Sequence, residues 1–316
     1  TGDEMSTTLW VAGGVIAVLA LGAVWLWTPD LKRETLETRY LAEPGDMIEV
    51  AGARLHVRAD GPEGAPALIL IHGFGSSLHT WRAWAEALQS DYFVIRFDLP
   101  GGGLSPPDPT GRYDDERAIE LIEALMARYE LDEAALIGNS VGGRIAWRFA
   151  AARPERVSRL VLVAPDGFAS AGFEYGEAPK VGPVTHAMRF ALPRFLVRQN
   201  LVASYGDPDR LEDETVQRYY DLLRAPGARL ALIHRMEQTV LTDPRPLLEQ
   251  IEQPVLLLWG EEDRLIPVSN AQDYLDHLPN AERAVLDGVG HLPQEETPQR
   301  SLEPVAAFLA PLKERP

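Results

Sequence analysis

One short segment of the chain combines a serine with the glycines of a sharp turn. Gly138-Asn139-Ser140-Val141-Gly142 follows the apolar run ALI and precedes the helical pattern RIAWRFA. Between a strand and a helix such a turn pushes the serine hydroxyl out at the sheet edge, and Gly138 and Gly142 relieve the crowding. The N-terminus of the following helix favours developing negative charge. The pattern predicts a nucleophile elbow with Ser140 as covalent nucleophile; the alternative is a glycine turn with a passive serine.

A second glycine turn follows the apolar run ALILI and has the sequence His72-Gly73-Phe74-Gly75. Backbone N–H groups in a turn of this kind can bind a carbonyl oxygen that becomes negatively charged. We expect the amides of Phe74 and Val141 to form an oxyanion hole, with Gly73 as a loop glycine; an ordinary turn is the alternative. His72 precedes the turn, and we assign it a structural role.

The acid and base of a serine triad are expected after the nucleophile in chain order. The segment VLLLWGEEDRLIP ends a predicted strand and carries Glu261, Glu262 and Asp263. Asp263 is favoured because it lies furthest from the strand, and Asp166, at the end of the preceding predicted strand, competes with it. His291 is the predicted base because, of the seven histidines, it alone lies in a loop after the last predicted strand.

Strand-like and helix-like patterns alternate along most of the chain. The predicted strands are Met47–Val50, Arg54–Arg58, Ala67–Ile71, Phe93–Phe97, Ala135–Ile137, Leu160–Val163, Val255–Trp259 and Arg283–Leu286. The predicted helices are Thr80–Gln89, Ala118–Tyr129, Gly142–Ala152 and Ser269–His277. This order predicts a doubly wound, mostly parallel α/β sheet with right-handed crossovers. Residues 168–249 lack a clear strand pattern and are interrupted by prolines, which predicts a helical insertion over the sheet's C-terminal edge.

Composition excludes several classes of function. The formal net charge of −17 offers no broad basic face, so we expect no nucleic-acid partner. The absence of cysteine excludes a disulfide framework, a Cys-ligated zinc and a thiol nucleophile. The sequence carries no metal motif such as HExxH, and the proposed chemistry needs neither a metal nor a cofactor.

The segment Leu9 to Trp27 is apolar and contains no charged residue. As a helix it would reach about 28 Å, close to the hydrocarbon thickness of a bilayer. We predict a retained single-pass membrane anchor after a short tail (1–8); a cleaved signal peptide and a buried helix are the alternatives. The basic residues after the span place the catalytic domain in the cytoplasm by the positive-inside rule. Residues 28–45 are expected to form a polar linker.

These motifs together resemble the α/β-hydrolase superfamily over roughly residues 46–312. The matching segments are HGFG at 72–75, FDLPGGGLSP at 97–106, GNSVGG at 138–143, WGEEDRLIP at 259–267 and GVGHLPQEETP at 288–298. The resemblance implies an eight-stranded sheet, a helical cap at about 168–249 and a Ser140–Asp263–His291 triad. The GNSVGG elbow is similar to those of bacterial esterases and lipases and of hydrolases that split carbon–carbon bonds in ring-cleavage products.

The expected activity is hydrolysis of a carboxylic ester through an acyl-enzyme on Ser140. The cap and the predicted anchor favour a small lipophilic or lipid ester as substrate. A carbon–carbon bond hydrolase is the first alternative, although such enzymes usually carry Trp directly after the catalytic His, where this chain has Leu292. A non-enzymatic accessory subunit of a membrane complex is the second alternative.

Overall fold

The computed structural model describes residues 26–170 and 174–314, together with the single positions 10, 14 and 22. Across these residues no helix is long and apolar enough to cross a membrane. Most of the predicted span Leu9 to Trp27 lies outside the described residues. The sheet and the helices around it all lie C-terminal to that segment.

An eight-stranded sheet forms the centre of the molecule. Its strands are β1 (Met47–Val50), β2 (Ala53–Asp60), β3 (Ala67–Ile71), β4 (Phe93–Phe97), β5 (Ala134–Asn139), β6 (Val157–Val163), β7 (Val255–Gly260) and β8 (Ala281–Leu286). They lie in the order β1-β2-β4-β3-β5-β6-β7-β8; β2 pairs antiparallel with β1 and with β4, and the remaining pairs are parallel. The predicted sheet class and strand number are confirmed.

Helices cover both faces of the sheet, as parallel strands require. Numbered after the N-terminal helix α1 (Arg33–Tyr40), they are α2 (Arg82–Leu88), α3 (Asp115–Arg128), α4 (Val141–Ala152), α10 (Asn270–Leu275), α11 (Pro293–Glu296) and α12 (Pro298–Leu309). Two apolar cores result, one on each side of the sheet, because alternate strand residues such as Ile69 and Leu70 point to opposite faces. The carboxyl ends of the parallel strands then share one edge, where the predicted site residues lie.

Between β6 and β7 the described residues contain helices, as the sequence predicts. These are α5 (Pro183–Ala187), α6 (Arg194–Ser204), α7 (Asp213–Leu222), α8 (Ala228–Gln238) and α9 (Arg245–Leu248). We call this region the cap. Helices α6 and α7 build a small apolar core of their own, and Leu292, the residue after His291, packs into it. The cap is thus in contact with the loop of the predicted base.

Residues 28–45, expected to be a linker, contain the helix α1 and pack against the cap. Leu36 is buried in one cluster with Leu222 and Ala225. The Arg39 guanidinium and the Tyr40 hydroxyl both bind the buried Asp221 carboxylate, at 2.7 and 2.9 Å. The polar pattern of this segment hid its packing because the contacts come from a distant part of the chain.

Candidate active site

Ser140 occupies a strained turn between β5 and α4. Its backbone has φ 55° and ψ −120°, a region that side-chain-bearing residues rarely adopt. Two backbone hydrogen bonds, each 3.0 Å long, stabilise the turn. The Ser140 amide donates to the Val163 carbonyl oxygen, and the Asp166 amide donates to the Ser140 carbonyl oxygen. Strain of this kind costs about 1–3 kcal/mol and is typical of functional sites. The structure therefore has the geometry of the predicted nucleophile elbow.

The two elbow positions require glycine because a side chain would collide with neighbouring backbone atoms, and not because either residue has a positive φ angle. A Cβ on Gly138 would lie 2.2 Å from the Gly142 carbonyl oxygen, and one on Gly142 would lie 2.2 Å from the Ile71 carbonyl oxygen. Both neighbours are backbone atoms and cannot rotate away. Helix α4 can thus approach the ends of β3 and β5 closely only because Gly138 and Gly142 have no side chain.

We expect Gly142→Ala to lower the free energy of unfolding by about 3 kcal/mol, because its methyl group forces α4 away from β3. Urea denaturation followed by circular dichroism measures this change. Gly45→Ala is the matched control, since a Cβ there meets no atom within 4 Å. Equal denaturation midpoints for Gly142→Ala and the control would contradict the packing argument.

His291 and Asp263 form a buried hydrogen-bonded pair. His291 Nδ1 lies 2.7 Å from Asp263 Oδ2, and the Asp263 side chain is fully buried. The second carboxylate oxygen accepts the amides of Leu265 and Ile266, both at 2.9 Å. Because Nδ1 faces a carboxylate, it carries the proton, and Nε2 keeps the lone pair that a general base needs.

Asn139 ties the elbow to the loop of His291. Its side-chain amide donates to the carbonyl oxygens of His291 and Val163, each at 3.1 Å. Within the described part of the chain, neither the Ser140 hydroxyl nor His291 Nε2 makes a hydrogen bond. The elbow and the His–Asp pair are thus neighbours, without the serine–histidine bond that tightens in a substrate complex.

Asp166, the competing acid, has a different partner. Its carboxylate binds the Arg144 guanidinium, which also binds the Asp115 carboxylate at 3.0 Å. Arg144 is buried, so it holds both carboxylates in an ion-pair network behind the elbow. The histidine contacts Asp263 instead, as the preferred interpretation expects.

Phe74 and Val141 line one crevice beside the elbow. Across the described ranges their backbone amides donate to no protein acceptor. A Cβ on Gly73 would lie 3.2 Å from the Ser140 Cβ, so this loop runs directly past the serine. The two N–H groups are therefore available to an oxygen atom, as an oxyanion hole requires.

Two hydrogen bonds of the His72 ring stabilise this loop. Its Nδ1 donates to the Gly73 carbonyl at 2.8 Å, and its Nε2 accepts the Leu99 amide at 2.9 Å. Complete burial lowers the pKa of His72, so the ring is neutral and both nitrogens are satisfied. This arrangement agrees with the structural role expected for His72.

The cap contributes a positive charge to the same crevice. Arg235 of α8 lines it, and burial lowers the pKa of this guanidinium to about 10, which leaves it charged at neutral pH. Its nitrogens donate to the carbonyls of Tyr113 and Pro100 at 3.2 and 3.4 Å. The volume of the crevice is about 10 Å³, which is enough for one water-sized group such as a carbonyl oxygen. An acyl chain needs other space or a displaced cap.

Glu296 is a positioning residue that sequence reasoning missed. Its buried carboxylate accepts the Gly290 amide at 2.7 Å and the amides of Gly206 and Asp207 at 3.1 and 2.8 Å. It therefore joins the loop of His291 to the end of α6 in the cap. The only signal in the sequence was its place in the QEETP run, which does not reveal these partners.

The alpha/beta hydrolase fold family model matches residues 66–298. The chain belongs to this family. The matched stretch contains Ser140, Asp263 and His291, so the elbow and the His–Asp pair lie within the shared part of the fold. In this α/β-hydrolase the cap is inserted between β6 and β7.

Relatives of this α/β-hydrolase have several activities. The dihydrolipoyllysine-residue acetyltransferase component of the acetoin cleaving system of Pseudomonas putida is 30% identical over 94% of this chain and 80% of its own. The 2-hydroxy-6-oxo-6-phenylhexa-2,4-dienoate hydrolase of Burkholderia cepacia is 28% identical over 77% of this chain and 86% of its own. A crystal structure of a membrane phospholipase A is 25% identical, covers 98% of this chain and 100% of its own, and has a TM-score of 0.72.

Proposed function

We propose that this hydrolase cleaves carboxylic esters through an acyl-enzyme on Ser140. The observation that carries the proposal is the buried His291–Asp263 pair beside a strained serine elbow. His291 removes the Ser140 proton as the hydroxyl oxygen attacks the ester carbonyl, and Asp263 stabilises the resulting imidazolium. The amides of Phe74 and Val141 bind the oxyanion. His291 returns the proton to the leaving alcohol, and water then repeats the sequence to release the acid.

The proposed substrate is a lipophilic ester, and the proposed location is a membrane surface. Val184, Phe190 and Phe195 of the cap region expose their apolar side chains. The Trp27 ring, at the end of the apolar segment, stacks on Phe190 with centroids 5.8 Å apart. The predicted anchor would thus hold this face of the cap near lipid, with the catalytic domain in the cytoplasm. The likeness to a membrane phospholipase A supports the same proposal.

A carbon–carbon bond hydrolase is the second candidate because the Burkholderia cepacia relative is a 2-hydroxy-6-oxo-6-phenylhexa-2,4-dienoate hydrolase. Hydrolases of that class usually carry tryptophan directly after the catalytic histidine, whereas this chain has Leu292 there, which packs into the cap core. Leu292 therefore contributes to the packing between the loop of His291 and the cap. This observation favours the esterase proposal.

Three substrates separate these proposals. We expect kcat/KM for p-nitrophenyl laurate in detergent micelles to exceed that for p-nitrophenyl acetate, because the acyl chain adds apolar burial of about 0.8 kcal/mol per CH₂. Both should be turned over faster than 2-hydroxy-6-oxo-6-phenylhexa-2,4-dienoate. A preference for the acetate would overturn the lipophilic substrate class. A preference for the dienoate would overturn ester hydrolysis as the main reaction.

A further inference from the structure

Large apolar side chains are exposed on the cap beside the end of the apolar segment 9–27. Six of them, each between 39% and 85% exposed, are Leu26, Trp27, Val184, Phe190, Phe195 and Leu196. Single exposed apolar residues are common on protein surfaces, but a contiguous group marks an interaction site. We call the surface formed by Leu26, Trp27 and the exposed residues of 184–198 the cap face.

The two stretches that form the cap face are in direct contact. The Trp27 ring stacks on the Phe190 ring with centroids 5.8 Å apart. The Thr28 amide donates to the Phe190 carbonyl oxygen at 2.8 Å, and the Leu192 amide donates to the Thr28 hydroxyl at 3.0 Å. The C-terminal end of the apolar segment therefore lies on the cap face.

The packing of α6 leaves its outer side without an apolar partner. Val197 and Leu201, four residues apart on one side of the helix, are buried in the core that also contains Leu292. Phe195 and Leu196 are exposed instead, at positions where a surface helix usually carries polar residues. The cap core is thus formed without them, and their apolar surface is available to another molecule.

The cap face is also positively charged. Residues 178–206 contain no Asp or Glu, although the net charge of the chain is −17. Their basic residues are Lys180, Arg189, Arg194 and Arg198. Arg194 pairs with Asp213 at 2.6 Å, and the same carboxylate attracts Arg198. Arg189 has no carboxylate partner in the described ranges, so the cations outnumber the acids that face them.

We propose that the cap face binds the surface of a membrane that contains anionic lipids. The Arg189 guanidinium lies 4.3 Å from the Phe190 ring centroid, so a cation and an apolar ring are presented together. This combination suits the boundary between charged headgroups and acyl chains. The cytoplasmic leaflet carries the negative charge that such a face attracts. The proposal rests on the membrane location proposed above and not on the ester reaction.

A second copy of the chain fits the cap face less well than a membrane does. A twofold contact brings the same surface of both copies together. Arg189 and Arg198 would then approach the same two cations of the other copy, and like charges repel. Anionic lipid instead neutralises these cations and covers the apolar side chains with acyl chains. The charge of the cap face therefore favours lipid as its occupant.

A fluorescent label on Val184→Cys tests the contact, because the chain has no other cysteine. The full chain, in a Ser140→Ala background that prevents hydrolysis, is reconstituted in phosphatidylcholine vesicles with or without phosphatidylglycerol. We expect nitroxide-bearing lipid to quench the label strongly only when phosphatidylglycerol is present. Ser90→Cys is the matched control, since Ser90 is exposed before β4, at the opposite end of the sheet from the elbow. Its label should stay unquenched in both vesicles.

The contribution of charge is measured with Arg189→Gln/Arg198→Gln. We expect the ratio of quenched to unquenched label to fall about tenfold in the phosphatidylglycerol vesicles, because each cation near an anionic surface strengthens binding severalfold. Both side chains are exposed, so folding should be retained. The control is Arg128→Gln/Arg283→Gln, which removes the same charge from exposed positions of α3 and β8.

Several outcomes would overturn the proposal. Equal quenching of Val184→Cys in both kinds of vesicle would remove the anionic lipid, and equal losses in the two arginine variants would remove the cap face. Protection of the label from iodide in detergent that grows with protein concentration would identify a second copy as the occupant. Hydrolysis of p-nitrophenyl laurate by the protein with Ser140 intact is measured separately. Its absence, with charge-dependent quenching retained, would overturn the ester reaction and leave the cap face as proposed.

Discussion

Ser140→Ala is expected to reduce kcat/KM for a p-nitrophenyl ester by about 10⁴- to 10⁶-fold, because no other nucleophile replaces the hydroxyl. It should also abolish covalent labelling by a fluorophosphonate probe. The elbow is held by backbone hydrogen bonds of Ser140 with Val163 and Asp166, which alanine retains. Stability should therefore change little, so the loss reports on chemistry rather than on folding.

Ser158→Ala is the matched control for this experiment. Ser158 is buried, and it lies at the start of β6, at the opposite end of the sheet from the elbow. Labelling and turnover should match those of the unchanged protein. Labelling of Ser140→Ala at the level of this control would remove Ser140 as nucleophile, and failure of the unchanged protein to label would favour the accessory-subunit alternative.

The local parts of the site were accessible from the sequence. Ser140 and its glycines lie within five residues, and their strand–turn–helix context is written in adjacent apolar patterns. The parallel strands were equally clear because burial on both faces leaves a continuous apolar run such as Ala67–Ile71. Chain order and strand ends then favoured Asp263 and His291, which the structure brings into contact.

Long-range polar contacts were not accessible in the same way. Glu296 accepts amides from residues about 90 positions earlier, and Asp221 binds α1 across more than 180 positions. No periodicity records such a partner. Strand ends were also predicted too short, as in β8, where Ala281 and Glu282 extend the strand at the sheet edge with partly exposed positions. The pattern of apolar residues predicts the buried centre of a strand better than it predicts where an exposed strand begins or ends.

These long-range contacts all connect the cap to its surroundings near the site. Glu296 binds the turn after α6, Arg218 of α7 binds Glu295, and Arg235 of α8 lines the oxyanion crevice. The proposed catalytic residues therefore lie at the edge of the sheet, whereas much of their surroundings belongs to the cap.

Asp263→Asn is expected to lower kcat by about 10⁴-fold with little change in KM, because it fixes the wrong tautomer of His291. The amides of Leu265 and Ile266 need an acceptor, so the asparagine oxygen stays on their side. Its NH₂ group then faces His291 Nδ1 and donates to it. The ring proton moves to Nε2, and the base that should receive the Ser140 proton has no lone pair left.

Asp166→Asn is the matched control, because the same substitution is made in the competing acid. It weakens one ion pair of Arg144, which keeps Asp115, so we expect a modest loss of stability and kcat within a few-fold of the unchanged protein. Initial rates at saturating ester, with thermal melts of both variants, separate chemistry from folding. A larger loss of kcat in Asp166→Asn than in Asp263→Asn would exchange the two assignments, because only the residue that orients His291 controls its tautomer.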